Sequence, residues 1–205
     1  MEVLVIDNYE IPKSSDIHEL KYALEELGNR CQVRRFDEVS LSSQLNQFDT
    51  IVLSGSGTLL YQGPPKRYQS LIELIQTASI PILGICFGHQ LIGITFGSQV
   101  VHLGTKVEGF RSVKILEATS STNKMNDPLF RSLHSEIHVW QSHFEVVEAL
   151  PKNFELLAYS DETAVEAMVN KKNPIYGIQF HAEHFTPQYP DGQIILQNFF
   201  NILKK

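Results

Sequence analysis

The chain has 205 residues, with 17 Lys/Arg against 23 Asp/Glu and a formal net charge of −6. That length fits one α/β domain with a full core, and the acidic balance without a dense Lys/Arg cluster argues against a nucleic-acid or anionic-membrane surface. Cys31 and Cys86 are the two cysteines, no charged-then-apolar leader starts at Met1, and no apolar run is long enough to span a bilayer, so a reduced, cytoplasmic protein is expected.

In chain order, Val3-Leu4-Val5-Ile6-Asp7 is a continuous apolar run ending in an acid, the pattern of a central parallel strand. Asp16 then caps a helix with apolar positions Ile17, Leu20, Ala23, Leu24 and Leu27, closed by Gly28. Cys31 to Phe36 is a strand of mixed polarity, placed nearer an edge, with Cys31 read as core. Thr50 to Leu53 is a third strand and leads into Ser54-Gly55-Ser56-Gly57-Thr58, small residues able to turn backbone N–H groups toward an anion or simply to make a turn. No Gly-Lys-Ser/Thr follows, so the loop is not a phosphate-binding P-loop. Pro65 to Ala78 has helical spacing at Tyr68, Leu71, Ile72 and Ile75.

Pro81 to Ile85 is an apolar run that ends in Gly84-x-Cys86-x-Gly88 and passes straight into helical spacing. Strand, sharp turn and helix in that order make a nucleophile elbow with cysteine in place of serine. A Cβ at Gly84 or Gly88 would crowd helix against strand. Cys86 at the helix N-terminus gains partial positive charge and free N–H groups, which favour a thiolate and any oxyanion beside it; the alternative is a buried structural cysteine.

Past Phe96 come shorter segments, Val100 to Leu103, Val113 to Leu116, Ile137 to Trp140, Val146-Val147 and Leu156 to Tyr159, expected as β-ribbons or strands beside the parallel sheet. Pro174 to Phe180 is another buried strand, delivering His181-Ala182-Glu183-His184, and Gly192 to Leu203 is a closing helix. The alternation predicts an open, mostly parallel, flavodoxin-like sheet with helices on both faces, a small antiparallel addition, and ligand residues at the carboxyl ends of the strands. A Cys at one such end and His-x-Glu at another suggest a triad in which His181 moves the thiol proton and Glu183 holds the imidazole. A zinc site at His181, Glu183 and His184 is disfavoured because the spacing matches neither helical His-Glu-x-x-His nor a zinc deaminase set.

Two stretches, Gly84-Ile85-Cys86-Phe87-Gly88-His89-Gln90 and Tyr176-Gly177-Ile178-Gln179-Phe180-His181-Ala182-Glu183, are similar to the two catalytic motifs of the class I glutamine amidotransferases. Val139 to Phe144 and Leu150 to Ala158 resemble the glutaminase part of GMP synthase within that family, while Val3 to Tyr9 also looks like the anthranilate synthase glutaminase subunit. The resemblance implies a single amidotransferase domain over 1–205 that hydrolyses L-glutamine to glutamate and ammonia through a thioester on Cys86, with His181 and Glu183 completing the triad and no cofactor. It further implies an oxyanion hole from Phe87 and Gly55 or Ser56, and contacts to glutamine from Gly57, Gln90, Ser142, His143 and Phe144. Three features depart from the family pattern: Ser-Gly-Ser-Gly stands where Gly-Gly-Pro or Gly-Pro-Gly is usual, Ala182 replaces a proline, and the chain stops at Lys205 without an ATP-binding segment. The last implies a separate ATP-dependent synthase subunit that accepts the ammonia, with no nucleic acid or membrane partner. The alternatives are a stand-alone hydrolase of γ-glutamyl peptides and a non-catalytic module on the same fold. Leu59, Leu60 and Tyr61 are either a docking face or core.

Overall fold

The computed structural model describes residues 1–10, 15–39, 45–116, 127–170 and 172–204. Nine strands form one sheet in the order β2-β1-β3-β4-β9-β8-β7-β5-β6. Its first half is parallel, pairing β2 (Arg30–Arg35), β1 (Glu2–Asp7), β3 (Thr50–Leu53), β4 (Ile82–Ile85) and β9 (Ile175–Ile178). From β9 outward, β8 (Ala167–Asn170), β7 (Phe154–Tyr159), β5 (Val100–Ile115) and β6 (Glu136–Val147) pair antiparallel.

The central strands are apolar on both sides because both sides are covered. Val3 and Val5 of β1 share a core with Ile17, Leu20 and Leu24 of α1 (Ser15–Glu26) and Ile195, Leu196 and Phe199 of α4 (Asp191–Leu203). Leu4 and Ile6 turn to the opposite core with Leu71, Leu74 and Ile75 of α2 (Gln69–Thr77) and Leu91 and Ile92 of α3 (Phe87–Thr95). The expected helices on both faces of the parallel part of the sheet are therefore present. The first helix closes at Gly28, whose φ of 82° is free only for glycine. The helix expected over Pro65 to Ala78 begins as a 3-10 turn at Lys66–Tyr68 before becoming α2.

Three expectations change in detail. The segments expected at Val100 to Leu103 and Val113 to Leu116 join in one 16-residue strand that ends at Ile115, and Ile137 to Trp140 and Val146-Val147 belong to one 12-residue strand. The sequence pattern of β5 is interrupted because the strand crosses a register shift between His102 and Val107 and carries glycines at positive φ, Gly104 and Gly109. That of β6 is interrupted because its inward face changes chemistry, from Ile137 and Val139 to Gln141, His143 and Glu145, all buried. β8 is a strand with no counterpart among the segments expected from the sequence. Cys31 is half-buried on edge strand β2 and packs against the first core. No described helix is long and apolar enough to cross a membrane.

Candidate active site

The carboxyl ends of β1, β3, β4 and β9 meet at a cavity of about 740 Å³. Open α/β sheets bind ligands at this edge. Cys86 is delivered by the elbow: its φ of 50° and ψ of −102° form a strained turn from β4 into α3. Its N–H donates to Ile178 O at 2.9 Å, tying the turn to the end of β9. Geometry requires the flanking glycines: a Cβ on Gly84 would lie 2.6 Å from the Gly88 backbone, and one on Gly88 2.7 Å from Leu53.

His181 follows β9 through Gln179 and Phe180, and its N–H donates to Trp140 O at 2.8 Å. Its Nδ1 lies 2.8 Å from Glu183 Oε1, both side chains almost wholly buried, and the ring is within electrostatic reach of the Cys86 sulfur. Burial disfavours the imidazolium, yet the Glu183 carboxylate and the Cys86 sulfur outweigh it and hold the His181 pKa well above the ordinary histidine value. Burial likewise works against the Glu183 carboxylate, but His181 keeps its pKa below the usual one. The charges of Glu183 and Cys86 thus favour a proton on the His181 ring. Ala182 is fully buried and keeps this geometry without a proline.

The loop after β3 is fixed from β1: the Asn8 N–H donates to Ser54 Oγ at 3.0 Å and Asn8 Nδ2 to Ser54 O at 2.8 Å. Gly55 sits where a Cβ would strike the His181 ring at 2.9 Å and the Tyr9 hydroxyl at 3.0 Å, whereas a Cβ on Gly57 meets nothing. Ser56 Oγ accepts from the Thr58 N–H at 3.1 Å, so its side chain braces the loop. Phe87 opens α3, where the first-turn N–H groups have no intrahelical acceptor.

Of the residues singled out by sequence, Ser56, Gly57, Cys86, Gln90, Ser142, His143, Phe144 and His181 line the cavity. Gly55, Phe87 and Glu183 do not line it. Gln90 donates both amide hydrogens, to Glu145 O at 2.7 Å and Gln179 Oε1 at 3.2 Å, which leaves its carbonyl oxygen as the group available to a ligand. Phe144 is 41% exposed and stacks on His102 at the rim. Leu59 lines the cavity and is exposed, Tyr61 is exposed, and Leu60 between them is core. Asp7 is not a cavity residue: it is buried and accepts the Tyr9 N–H at 3.0 Å.

Donor atoms of His181, Glu183 and His184 lie within 4.8 Å of one another. His181 and Glu183 are engaged with each other and His184 Nδ1 pairs with Glu19 at 3.2 Å, so a metal there would displace both pairings.

Several residues that shape the cavity escape a reading of the sequence. Glu145 accepts the Leu60 and Tyr61 N–H groups at 2.7 and 3.0 Å and so anchors the segment after the glycine loop. Tyr9 lines the cavity, and burial, then the charges around it, push its hydroxyl pKa up. Gln141 links His143 (3.0 Å) to Glu166 (3.0 Å). The available signal is a lone polar residue inside an apolar run, as at Gln179 or Glu145.

Burial pushes the Glu166 carboxyl up to about 7, against the hydrogen bonds from Gln141 and Ser160 that favour the charged form. Because the folded value lies above the unfolded one, the stability from Glu166 is present in full below about pH 4.5 and is lost as pH rises to about 7. The loss is about 3 kcal/mol. Relative to Glu166→Gln, wild type is expected to lose that much unfolding free energy across this window. Denaturant titrations at stepped pH check it, and a constant difference would contradict it.

The match to known proteins is direct. The model of the glutamine amidotransferase class I family matches residues 4–203. The chain belongs to that family. An Archaeoglobus fulgidus relative, named as the A subunit of glutamine-hydrolyzing GMP synthase, is 32% identical over the whole of both chains. The Methanocaldococcus jannaschii protein of the same name is 39% identical over 147 residues, 71% of this chain and 73% of that one. Among solved structures, a Thermoplasma acidophilum protein provisionally assigned as a GMP synthase A subunit superposes with a TM-score of 0.82 at 31% identity, covering 100% of this chain and 94% of the other. Membership of this amidotransferase family supports an enzyme with a glutaminase role.

Proposed function

We propose that this chain is the cytoplasmic glutaminase subunit of a two-component GMP-synthase-like enzyme, passing ammonia to a separate ATP-dependent synthase subunit. The observation that carries the chemistry is the convergence of Cys86, His181 and Glu183 beside one cavity at the strand ends. The synthase partner and its role in purine nucleotide synthesis are supported by the relatives named as GMP synthase A subunits.

In this reading the thiol proton passes to His181 and the sulfur attacks the side-chain amide carbon of glutamine. Negative charge collects on the amide oxygen, to be met by the Phe87 N–H and that of Gly55 or Ser56. Collapse breaks the C–N bond while His181 returns its proton to the leaving nitrogen, releasing ammonia and a γ-glutamyl thioester. Water then attacks the thioester, His181 takes its proton, and glutamate leaves with the thiol restored. The Gln90 carbonyl oxygen suits the α-ammonium of the substrate, and the backbone of Ser142, His143 and Phe144 with Gly57 suits its α-carboxylate end.

The test is glutamate release from glutamine and from a γ-glutamyl dipeptide, by the isolated chain and by a mixture with the ATP-pyrophosphatase component of a GMP synthase. Glutamine turnover that emerges or rises with that component, and falls on the order of a thousandfold in Cys86→Ala, is expected. Dipeptide cleavage with glutamine a poor substrate would instead mark a stand-alone γ-glutamyl hydrolase. No turnover of either substrate under any condition would point to a non-catalytic module.

A further inference from the structure

We propose that Gln179 is a further catalytic residue, whose side-chain amide donates a hydrogen bond to the Cys86 sulfur and favours its nucleophilic thiolate form. This rests on the glutaminase reading for its purpose, though not for its test. Gln179 follows β9 directly, is fully buried, and places Nε2 3.7 Å from Cys86 Sγ. Ser142 O lies 4.0 Å from the same sulfur, as an acceptor for the thiol. A carbonyl oxygen there favours S–H and repels S⁻. An N–H donor does the reverse, since hydrogen bonds to an ionised partner are stronger than those to a neutral one.

The direction of the Gln179 amide is dictated by its neighbours. Its Oε1 accepts from Gln90 Nε2 at 3.2 Å, and the other hydrogen of that Gln90 amide goes to Glu145 O at 2.7 Å. Glu145 O is a backbone carbonyl and can only accept, so Gln90 must present its nitrogen there, and Gln179 must present oxygen to Gln90 and nitrogen to the sulfur. Reversing Gln179 would set two N–H groups face to face and an oxygen against Cys86. The result is a buried relay from β6 through α3 to the nucleophile. Gln90, which lines the cavity, stands in its middle, so the residue suited to the substrate also holds the residue that supports the sulfur.

The experiment is the pH dependence of Cys86 alkylation by iodoacetamide in the full chain, followed by peptide mapping. Cys31 is separable because burial pushes its thiol up to about 11. Two variants are compared: Gln179→Met, which keeps the bulk and removes the donor, and Gln179→Glu, which keeps the shape and sets an acceptor against the sulfur. The alkylation midpoint is expected to rise by about one pH unit in the first and further in the second. With glutamine, kcat/KM at a pH below both midpoints should fall roughly tenfold in Gln179→Met. A midpoint unchanged in whichever variant folds, judged by its thermal transition, would overturn the proposal and leave Gln179 a packing residue. Alkylation needs no glutamine turnover, so this outcome is independent of whether the chain proves to be a glutaminase.

Discussion

Gly88→Ala is expected to lower stability by about 3 kcal/mol or more, at the upper end of what an added methyl costs in a packed interior. The added Cβ would lie 2.7 Å from both Leu53 Cβ and Leu53 O. Leu53 is fully buried at the end of β3, and its carbonyl belongs to the strand that carries the glycine loop, so relief requires α3 to lift from the sheet. For a chain of this size each kcal/mol shifts Tm by roughly 2–4 °C, so a fall of about 10 °C is expected by thermal unfolding. Gly57→Ala is the control, because a Cβ there meets nothing within 4 Å. Equal transitions for the two variants would show that the elbow does not depend on close approach.

The other large effect concerns Glu183. Glu183→Gln keeps the shape that holds His181 Nδ1 at 2.8 Å but removes the charge. A loss of roughly 10²–10⁴ in kcat for glutamine hydrolysis is expected, the range over which general acid–base assistance operates. The pH profile should move as well. Burial pulls the His181 imidazolium down, and the Glu183 carboxylate leads the charges that hold it up. Without that carboxylate His181 gives up its proton at lower pH, so the alkaline limb of kcat shifts downward. A loss of rate with the limb unmoved would mean that Glu183 holds the ring in place without setting its charge.

Much of this molecule is legible in its sequence because the informative residues obey local rules. Continuous apolar runs such as Val3 to Ile6 have to be two-sided strands, and two-sided strands require helices on both faces. The elbow is legible because Gly84, Cys86 and Gly88 encode a turn within a single short stretch. What stays hidden depends on contacts distant in the chain. The inward face of β6 carries Gln141, His143 and Glu145, polar residues that resemble the end of a strand until Glu166, Gln90 and the loop at Leu60 meet them. Gln179 and Gln90 lie 89 residues apart in sequence and meet only when β9 docks beside β4. No periodicity encodes that meeting. The Ser54 to Thr58 loop is ambiguous for the opposite reason, since small residues suit many turns and only the packing of Gly55 against His181 and Tyr9 makes one of them obligatory.

The central claim is that Cys86 attacks glutamine, and the most direct measurement is the mass of the Cys86 peptide after a brief exposure to glutamine and acid quench, in wild type and in His181→Asn. The expected result is a γ-glutamyl adduct on Cys86, absent from Cys31, whose formation and hydrolysis both slow in the His181→Asn chain because each step loses its proton carrier. Glutamate formed with no adduct on Cys86 in either chain, or undiminished in Cys86→Ala, would contradict it.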